Sequence, residues 1–385
     1  MKRVRIALSL GVVSCAATGY AQVPDLLTAF DAGSASAGAG GAFQGLAADP
    51  SSAHTNPAGL GYAYPRTLQL TRRNVPESRS SVSGNYNSLV RSSTGDSGTQ
   101  EFTSIGYTLP ASAIKRGAPG MLAFTYHVGG PIDDLGSGPS GGAIPVASGL
   151  NVINFQEERH ARTEFYTIAY GRTYGQGNLS VGLGLTYAQQ KTSFKQTGDV
   201  VDDNGQPING VLTFPDQKSR GGGFGLIAGL QYSPTSSPDI TFGASVRTPI
   251  SVGSNSLYEV IPGFVMLNAA YRLPGLRSGR PDYAVVGAQS QTFFGGKRSL
   301  YFDRKTQSTW GLGVEYSLFL GNVRLPLRIG YLSIPSGGDG FASREGLTYG
   351  LGYRPAGGNY SFDANFMRVS GGSTDLSLTV SYRFH

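Results

Sequence analysis

The sequence contains a single cysteine, Cys15, among 385 residues. Cys15 lies near the amino terminus, in a segment that opens with basic residues, continues through the apolar run 6–17 and ends in the small residues Gly19 and Ala21. This arrangement is typical of a secretory signal cleaved after Ala21. The mature chain would then hold no cysteine, which excludes a disulfide framework and a cysteine-ligated metal site. A lipoprotein signal, with Cys15 as the lipidated residue, is the alternative.

Long hydrophobic runs and clustered charge are also missing. No stretch after the signal reaches the roughly 18 apolar residues that a transmembrane helix needs. Charged residues make up 14% of the chain, and the formal net charge of +7 is spread along it and includes Lys2, Arg3 and Arg5 of the predicted signal. A nucleic-acid-binding protein concentrates its basic residues on one surface. We therefore expect no nucleic-acid partner.

Histidine is scarce, with four residues in the whole chain: His54, His127, His160 and His385. A hydrolase of the serine type needs a histidine beside a nucleophile and an acidic group that orients it. His127 and His160 flank one long loop, yet neither a nucleophile motif nor an acidic partner accompanies them. The sequence therefore predicts no enzymatic activity, no cofactor and no metal site.

Glycine, in contrast, is abundant, with 57 residues, about twice the share of an average protein. Apolar and polar residues alternate with period two in many segments, most clearly over 374–384, where Leu376, Leu378 and Val380 alternate with polar residues. The apolar faces end in tyrosine, tryptophan or phenylalanine. This combination is typical of the strands of an outer-membrane barrel, with small residues in the lumen and aromatic girdles at the membrane surfaces.

The pattern predicts an all-β fold, a transmembrane outer-membrane antiparallel β-barrel of about 14 strands with a small N-terminal helical plug in its lumen. Short connections alternate with long polar ones, as expected for periplasmic turns and external loops. The predicted organisation is a signal peptide at 1–21, a plug at 22–66 and the barrel at 67–385. The predicted strands are 67–73, 101–108, 119–127, 163–173, 178–193, 221–233, 238–248, 261–272, 281–293, 308–318, 321–332, 345–354, 358–367 and 374–384; the segment 80–90 could be another.

The stretch 35–60 supplies the predicted plug. It is dense in glycine and alanine, which suits close backbone packing. Asp49 followed by Pro50 predicts a helix start, with a side-chain acceptor at the N-cap and a fixed φ at the next position. The sequence 56–59 predicts a tight turn, because proline stands at its second position and glycine at its fourth. Only strands follow, so a barrel lumen is the expected place for this compact element.

Three motifs in this stretch carry a resemblance: Gly-Gly-Ala-Phe at 40–43, Ala-Asp-Pro at 48–50 and Asn-Pro-Ala-Gly-Leu at 56–60. In this order they resemble the N-terminal signature of the FadL/TodX family, including PorV-like relatives, over about the first sixth of the chain. The plug and turn residues that match are Gly40, Gly41, Phe43, Asp49, Pro50, Asn56, Pro57, Ala58 and Gly59.

The resemblance implies a protein of the Gram-negative outer membrane, in contact with its lipid and inserted by the barrel assembly machinery. It implies passive uptake of a small hydrophobic molecule, fatty-acid-like or aromatic, through the plugged lumen. The alternative is a PorV-like barrel that docks partners of a secretion system, and a third possibility is a general diffusion porin with an open channel. The family's external groove involves a loop that corresponds here to 249–260, which is short, so the groove would be absent or differently built.

Charged residues fall on the polar phase of several predicted strands and would face the lumen. One interpretation is a ladder of salt bridges that holds barrel and plug together, because buried charges must be paired. The other is a charged track that contacts a substrate carboxylate. The residues are Arg247, Glu315, Arg324, Arg328, Asp363 and Arg383, together with Arg354 and Asp375.

Overall fold

The computed structural model describes residues 35–75, 78–86, 89–97, 100–137, 144–147, 150–202, 204–213, 217–253, 260–276, 279–294, 306–335, 343–369 and 374–384. The predicted signal, its Cys15 and the beginning of the predicted plug lie outside these residues, so the boundaries at 21 and 22 stay predictions. The dominant feature of the described part is a closed antiparallel barrel of 14 strands. The predicted fold class is therefore confirmed.

The strands in chain order are β1 (Thr67–Val75), β2 (Ser78–Tyr86), β3 (Leu89–Ser97), β4 (Gln100–Pro110), β5 (Met121–Ser137), β6 (Ile144–Ala147), β7 (Leu150–Tyr174), β8 (Leu179–Val201), β9 (Pro207–Thr213), β10 (Gln217–Tyr232), β11 (Ile240–Arg247), β12 (Ile250–Ser251), β13 (Val260–Ile261), β14 (Phe264–Pro274), β15 (Tyr283–Phe293), β16 (Gln307–Leu320), β17 (Val323–Ile334), β18 (Arg344–Pro355), β19 (Tyr360–Val369) and β20 (Thr374–Arg383). Six of them, β2, β3, β6, β9, β12 and β13, lie outside the wall. The ring closes between β1 and β20, where Thr67 pairs with Arg383 and Asn74 with Leu376.

The two faces of the wall have opposite chemistry. Outward side chains are apolar and exposed, such as Leu183 at 64% and Ile329 at 59%, whereas Thr186 and Ser317 point inward and are buried. A closed barrel satisfies its backbone hydrogen bonds within itself, and an exposed apolar band requires an apolar solvent. The chain is thus a transmembrane barrel of the bacterial outer membrane. No helix in the described ranges is long and apolar enough to cross a membrane.

The strands end close to their predicted positions at one end of the barrel and extend beyond them at the other. At the short-turn end the predicted turn 319–320 lies two residues further on, at Gly321-Asn322, because Gly321 supplies the positive φ (56°) that the turn needs. At the long-loop end β5, β7 and β8 continue well past their predicted ends and pair with one another. The described residues of the segment 80–90 belong to β2 and β3, which pair with each other, and β3 also pairs with β5. These extensions lack the alternation of the membrane band.

Residues 35–63, hereafter the plug, lie inside the barrel. They form three short 3₁₀ helices, Ala35–Ala39, Gln44–Leu46 and Pro57–Tyr62, and one helical turn, α1 (Ser52–Thr55). Most of the plug is buried. The wall makes room for it with inward glycines, at each of which a methyl group would overlap plug atoms: Gly171, Gly182, Gly229, Gly243, Gly287, Gly311, Gly313 and Gly330. The glycine excess of the sequence thus serves close contact between plug and wall.

Candidate functional site

The first plug motif forms a tight turn against β16–β18. Gly40 and Gly41 both have positive φ, 65° and 78°, a conformation that glycine adopts without steric cost. The amide of Gly40 donates to the Thr348 hydroxyl at 2.7 Å, which fastens the turn to β18. Phe43 follows and covers Gly287 of β15. The motif therefore sets the close approach of plug backbone and wall.

The second motif begins the helical turn α1. The Asp49 carboxylate accepts a hydrogen bond from the Ser51 amide at 2.9 Å, while the N-cap residue of α1 is Ser51, whose own side chain makes no capping bond. Pro50 occupies the next position and contacts Gly106 of β4. The helix itself is only four residues long, Ser52–Thr55, and it begins two residues after Pro50, where the sequence predicted its first position.

The third motif centres on Asn56, which is 1% exposed. Its backbone is extended (φ −147°, ψ 96°), as expected before a proline. Its Nδ2 donates to the Gly45 carbonyl at 2.7 Å and to the Leu230 carbonyl of β10 at 3.3 Å, and its Oδ1 accepts from the Ala58 amide at 3.2 Å. Asn56 thus joins two parts of the plug and one wall strand. The predicted turn is the start of the 3₁₀ helix Pro57–Tyr62, with Gly59 donating to the Asn56 carbonyl at 3.0 Å.

Five of the predicted lumen charges meet in one network across β16, β17, β18 and β19. Glu315 accepts from Arg324 and from Arg328, both at 2.8 Å. Arg328, whose side chain is fully buried, also donates to Asp363 at 2.7 Å. Arg354 of β18 reaches Asp363 at 3.5 Å. The arrangement is a ladder of alternating charges, and an independent pair, Arg73 and Asp375 at 2.6 Å, joins β1 to β20.

Arg247 does not join that ladder. Its guanidinium lies 4.8 Å from the ring centroid of Phe264 and 5.8 Å from that of Phe165, and it donates to the Pro262 carbonyl at 2.8 Å. The connection between β11 and β14 starts by folding inward, and Ile250 packs on Gly225 of β10. The described residues at the start of the loop 249–260, namely 249–253, therefore contribute to the lumen filling.

An aromatic stack continues from Phe165 to the plug. The rings of Phe165 and His127 lie 4.6 Å apart, and His127 stacks on His54 of α1 at 4.3 Å. Sequence reasoning gave these histidines no role, because their partners come from β5, β7 and the plug, far apart in the chain. His127 and Phe165 both stand at lumen-facing positions in the alternation of their strands. That is the one sequence signal that they could meet.

Arg383 lies at the short-turn end, stacked 3.4 Å from the ring centroid of Tyr64. A cavity of about 1070 Å³ opens at this end, below the plug. Its lining combines apolar plug residues with charged wall residues, among them Phe43, Leu46, Glu315, Arg324, Arg354 and Arg383. The described residues contain no group of three or more side chains suited to hold a metal ion.

These features define a transmembrane barrel whose lumen is filled by its own N-terminal segment. No family model matches the sequence, and no curated protein matches it. The fold is similar to that of a Pseudomonas aeruginosa FadL homologue, with a TM-score of 0.63 and 14% identity over 92% of this chain and 98% of that chain.

Two further solved structures share the fold. The P. putida toluene transporter TodX has a TM-score of 0.54 and 10% identity, over 87% of this chain and 94% of that chain. The monoaromatic hydrocarbon channel CymD has a TM-score of 0.50 and 14% identity, over 93% of this chain and 98% of that chain. The predicted resemblance is thus confirmed at the level of the fold.

Proposed function

We propose that the protein is an outer-membrane transporter that admits small hydrophobic molecules, fatty-acid-like or aromatic, by passive uptake. The observation that carries this proposal is the plugged lumen of a barrel whose fold is shared with a toluene transporter and a monoaromatic hydrocarbon channel. Inward glycines bring the wall into contact with the plug backbone along much of the circumference. A filled lumen does not suit a general diffusion porin. No step of this function requires an enzymatic group.

Apolar side chains on the long-loop side of the plug support a hydrophobic cargo. The buried residues there are Ile250, Ile261, Phe264, Met266 and Phe293. Transfer from water to such surroundings is favourable for a cargo without hydrogen-bonding groups. A sugar would instead lose hydrogen bonds to water without gaining others. The charge ladder, being paired within itself, suits a structural role.

An irregularity in the pairing of two wall strands is the proposed site where the cargo leaves the barrel. The pairing of β5 with β7 shifts register between Gly129 and Ile132. A bulge leaves backbone groups unpaired and locally weakens the ladder. Under this proposal a hydrophobic cargo leaves sideways at the bulge and enters the membrane.

The test is uptake by cells that lack their own hydrophobic channels. Cells expressing the protein should take up a labelled fatty acid or toluene faster than cells with the empty vector, with no gain for a sugar of similar size. Equal gains for sugar and hydrocarbon would indicate an open pore. No gain for either, with the protein folded and inserted, would contradict transport.

The filled lumen also fits the second candidate, a PorV-like docking barrel. That function predicts a stable complex with a secreted partner and no uptake. Co-purification from outer membranes, with uptake measured in the same cells, distinguishes the two candidates.

A further inference from the structure

We propose that His54 and His127 form an acid-sensitive latch, which holds the plug in the lumen at neutral pH and releases it when the two rings take up protons. His54 belongs to α1 of the plug and His127 to β5 of the wall. Their contact is therefore a junction between the two parts that must separate if the lumen is to open. The proposal is independent of which molecule the barrel transports.

The geometry of the pair is that of two neutral rings. The ring centroids lie 4.3 Å apart with an angle of 28° between the planes. Phe165 covers the other face of His127 at 4.6 Å and 7°. His54 and His127 are 2% and 0% exposed. Stacking of this kind favours uncharged imidazoles, because two positive rings at this separation repel each other strongly in a buried site.

The nitrogen atoms of both rings are unsatisfied. All four are buried and none has a hydrogen-bond partner among the described residues. Burial of a polar group without a partner is unfavourable, and burial of a charged one far more so. Release of the plug would return these nitrogens to water, so the released state accepts protons more readily than the closed state.

The residues around the two histidines further disfavour protonation in the closed state. The strands packed against α1 present uncharged side chains on their inward phase: Ala123 and Thr125 on β5, Thr163 and Thr167 on β7, Thr186 and Gln190 on β8. The described charged group that acts on the pair is Arg247, whose guanidinium lies 5.8 Å from the ring centroid of Phe165. Asp49 precedes α1 and its carboxylate accepts from Ser51. The neighbouring charge thus opposes protonation of the closed latch.

The sign of the effect follows from linkage. Burial, reinforced by Arg247, lowers the pKa of His54, which belongs to the plug and not to a membrane-spanning strand, to about 3. In water an imidazole has a pKa of about 6.5. The closed state is therefore fully favoured above about pH 6.5 and is lost progressively as the pH falls from 6.5 toward 3. One histidine changes the ratio of released to closed protein by at most about tenfold per pH unit, and two by about a hundredfold.

The test uses a thiol probe in the full chain in lipid vesicles. Ala53 is completely buried in α1, so Ala53→Cys should react with a water-soluble maleimide only when the plug leaves. Peptide mapping measures the rate at which this cysteine is labelled. That labelling rate is divided by the rate for Ser236→Cys, in the exposed turn between β10 and β11, to correct for the pH dependence of the reagent. Between pH 8 and pH 5 the normalised rate should rise at least about thirtyfold, the change that one histidine of ordinary pKa produces.

The matched variant is His54→Phe with His127→Phe, which keeps two stacked rings and removes both titrating groups. Its normalised labelling should stay flat from pH 8 to pH 5. If the double variant does not insert, the single variant His54→Phe takes its place. Its rise in normalised labelling between pH 8 and pH 5 should be at least tenfold smaller than that of wild type. An unchanged acid response in either variant, or no response in wild type, overturns the proposal. Loss of the response on adding a chelator at constant pH also overturns it, because the pair would then hold a metal ion.

Discussion

Asn56 is the residue through which the plug is tied both to itself and to the wall. We expect Asn56→Ala to destabilise plug docking by about 1–3 kcal/mol, because it removes two donated hydrogen bonds and one accepted bond in a buried site. The Gly45 carbonyl keeps one donor, Gln231, at 3.1 Å. The measurement is the labelling rate of Ala53→Cys, which should rise at every pH while heat-modifiable gel mobility stays native.

Asn178→Ala is the control for this prediction. The Asn178 side chain donates to the Thr235 hydroxyl at 2.8 Å, but it does so on the surface at the short-turn end. Water replaces such a bond, so labelling of Ala53→Cys should not change. Equal labelling in the two alanine variants would mean that the Asn56 bonds do not hold the plug.

At the scale of elements, Arg328 couples three wall strands. Arg328→Met should lower the free energy of unfolding of the barrel by about 3–5 kcal/mol, because Glu315 and Asp363 would each lose a buried partner. Urea titration in detergent, followed by gel mobility, measures this loss.

Arg72→Met provides the comparison on an exposed ion pair. Arg72 and Glu101 join β1 and β4 near the long-loop ends of these strands, where both side chains are more than half exposed. Solvent screens such a pair, so its loss should cost about 0–1 kcal/mol. A cost for Arg328→Met no larger than that for Arg72→Met would show that the ladder does not stabilise the wall.

At the scale of the whole molecule, the fit between plug and wall depends on inward glycines. A methyl group at Gly330 of β17 would overlap the backbone of Ala39 in the plug. Gly330→Ala should therefore displace the first part of the plug while the closed hydrogen-bonded ring keeps the wall intact. Single-channel recordings should show an ion conductance larger than that of wild type.

Gly222→Ala is the matched control for the wall. At Gly222 of β10 an added methyl group meets first the end of the Tyr187 side chain, which can rotate away. Its conductance should equal that of wild type. A conductance in Gly330→Ala no larger than that of Gly222→Ala would mean that the plug tolerates the methyl group or does not block the lumen.

The sequence by itself determined the wall. Each of the 14 predicted strands corresponds to a wall strand, because lipid outside and polar atoms inside impose opposite chemistry on alternate residues, as Leu378 and Ser377 illustrate. The helical turn that follows Asp49, although it begins only at Ser52, and the turn after Asn56 were also readable, since side-chain hydrogen bonds and proline act between near neighbours. The ends of β5, β7 and β8 were not, because above the membrane band neither face demands apolar residues.

Only the tertiary structure decided which inward groups meet. Arg247 and Arg328 both occupy lumen-facing positions in the alternation of their strands. Yet Arg247 lies beside two phenylalanine rings, whereas Arg328 lies between two carboxylates. His54 and His127 come together across 72 intervening residues. Such contacts depend on the closure of the ring and on the path of the plug through it, which bring distant strands within a few ångströms. Period-two patterns specify which way a side chain points, but the side chain that faces it across the lumen follows from the barrel as a whole.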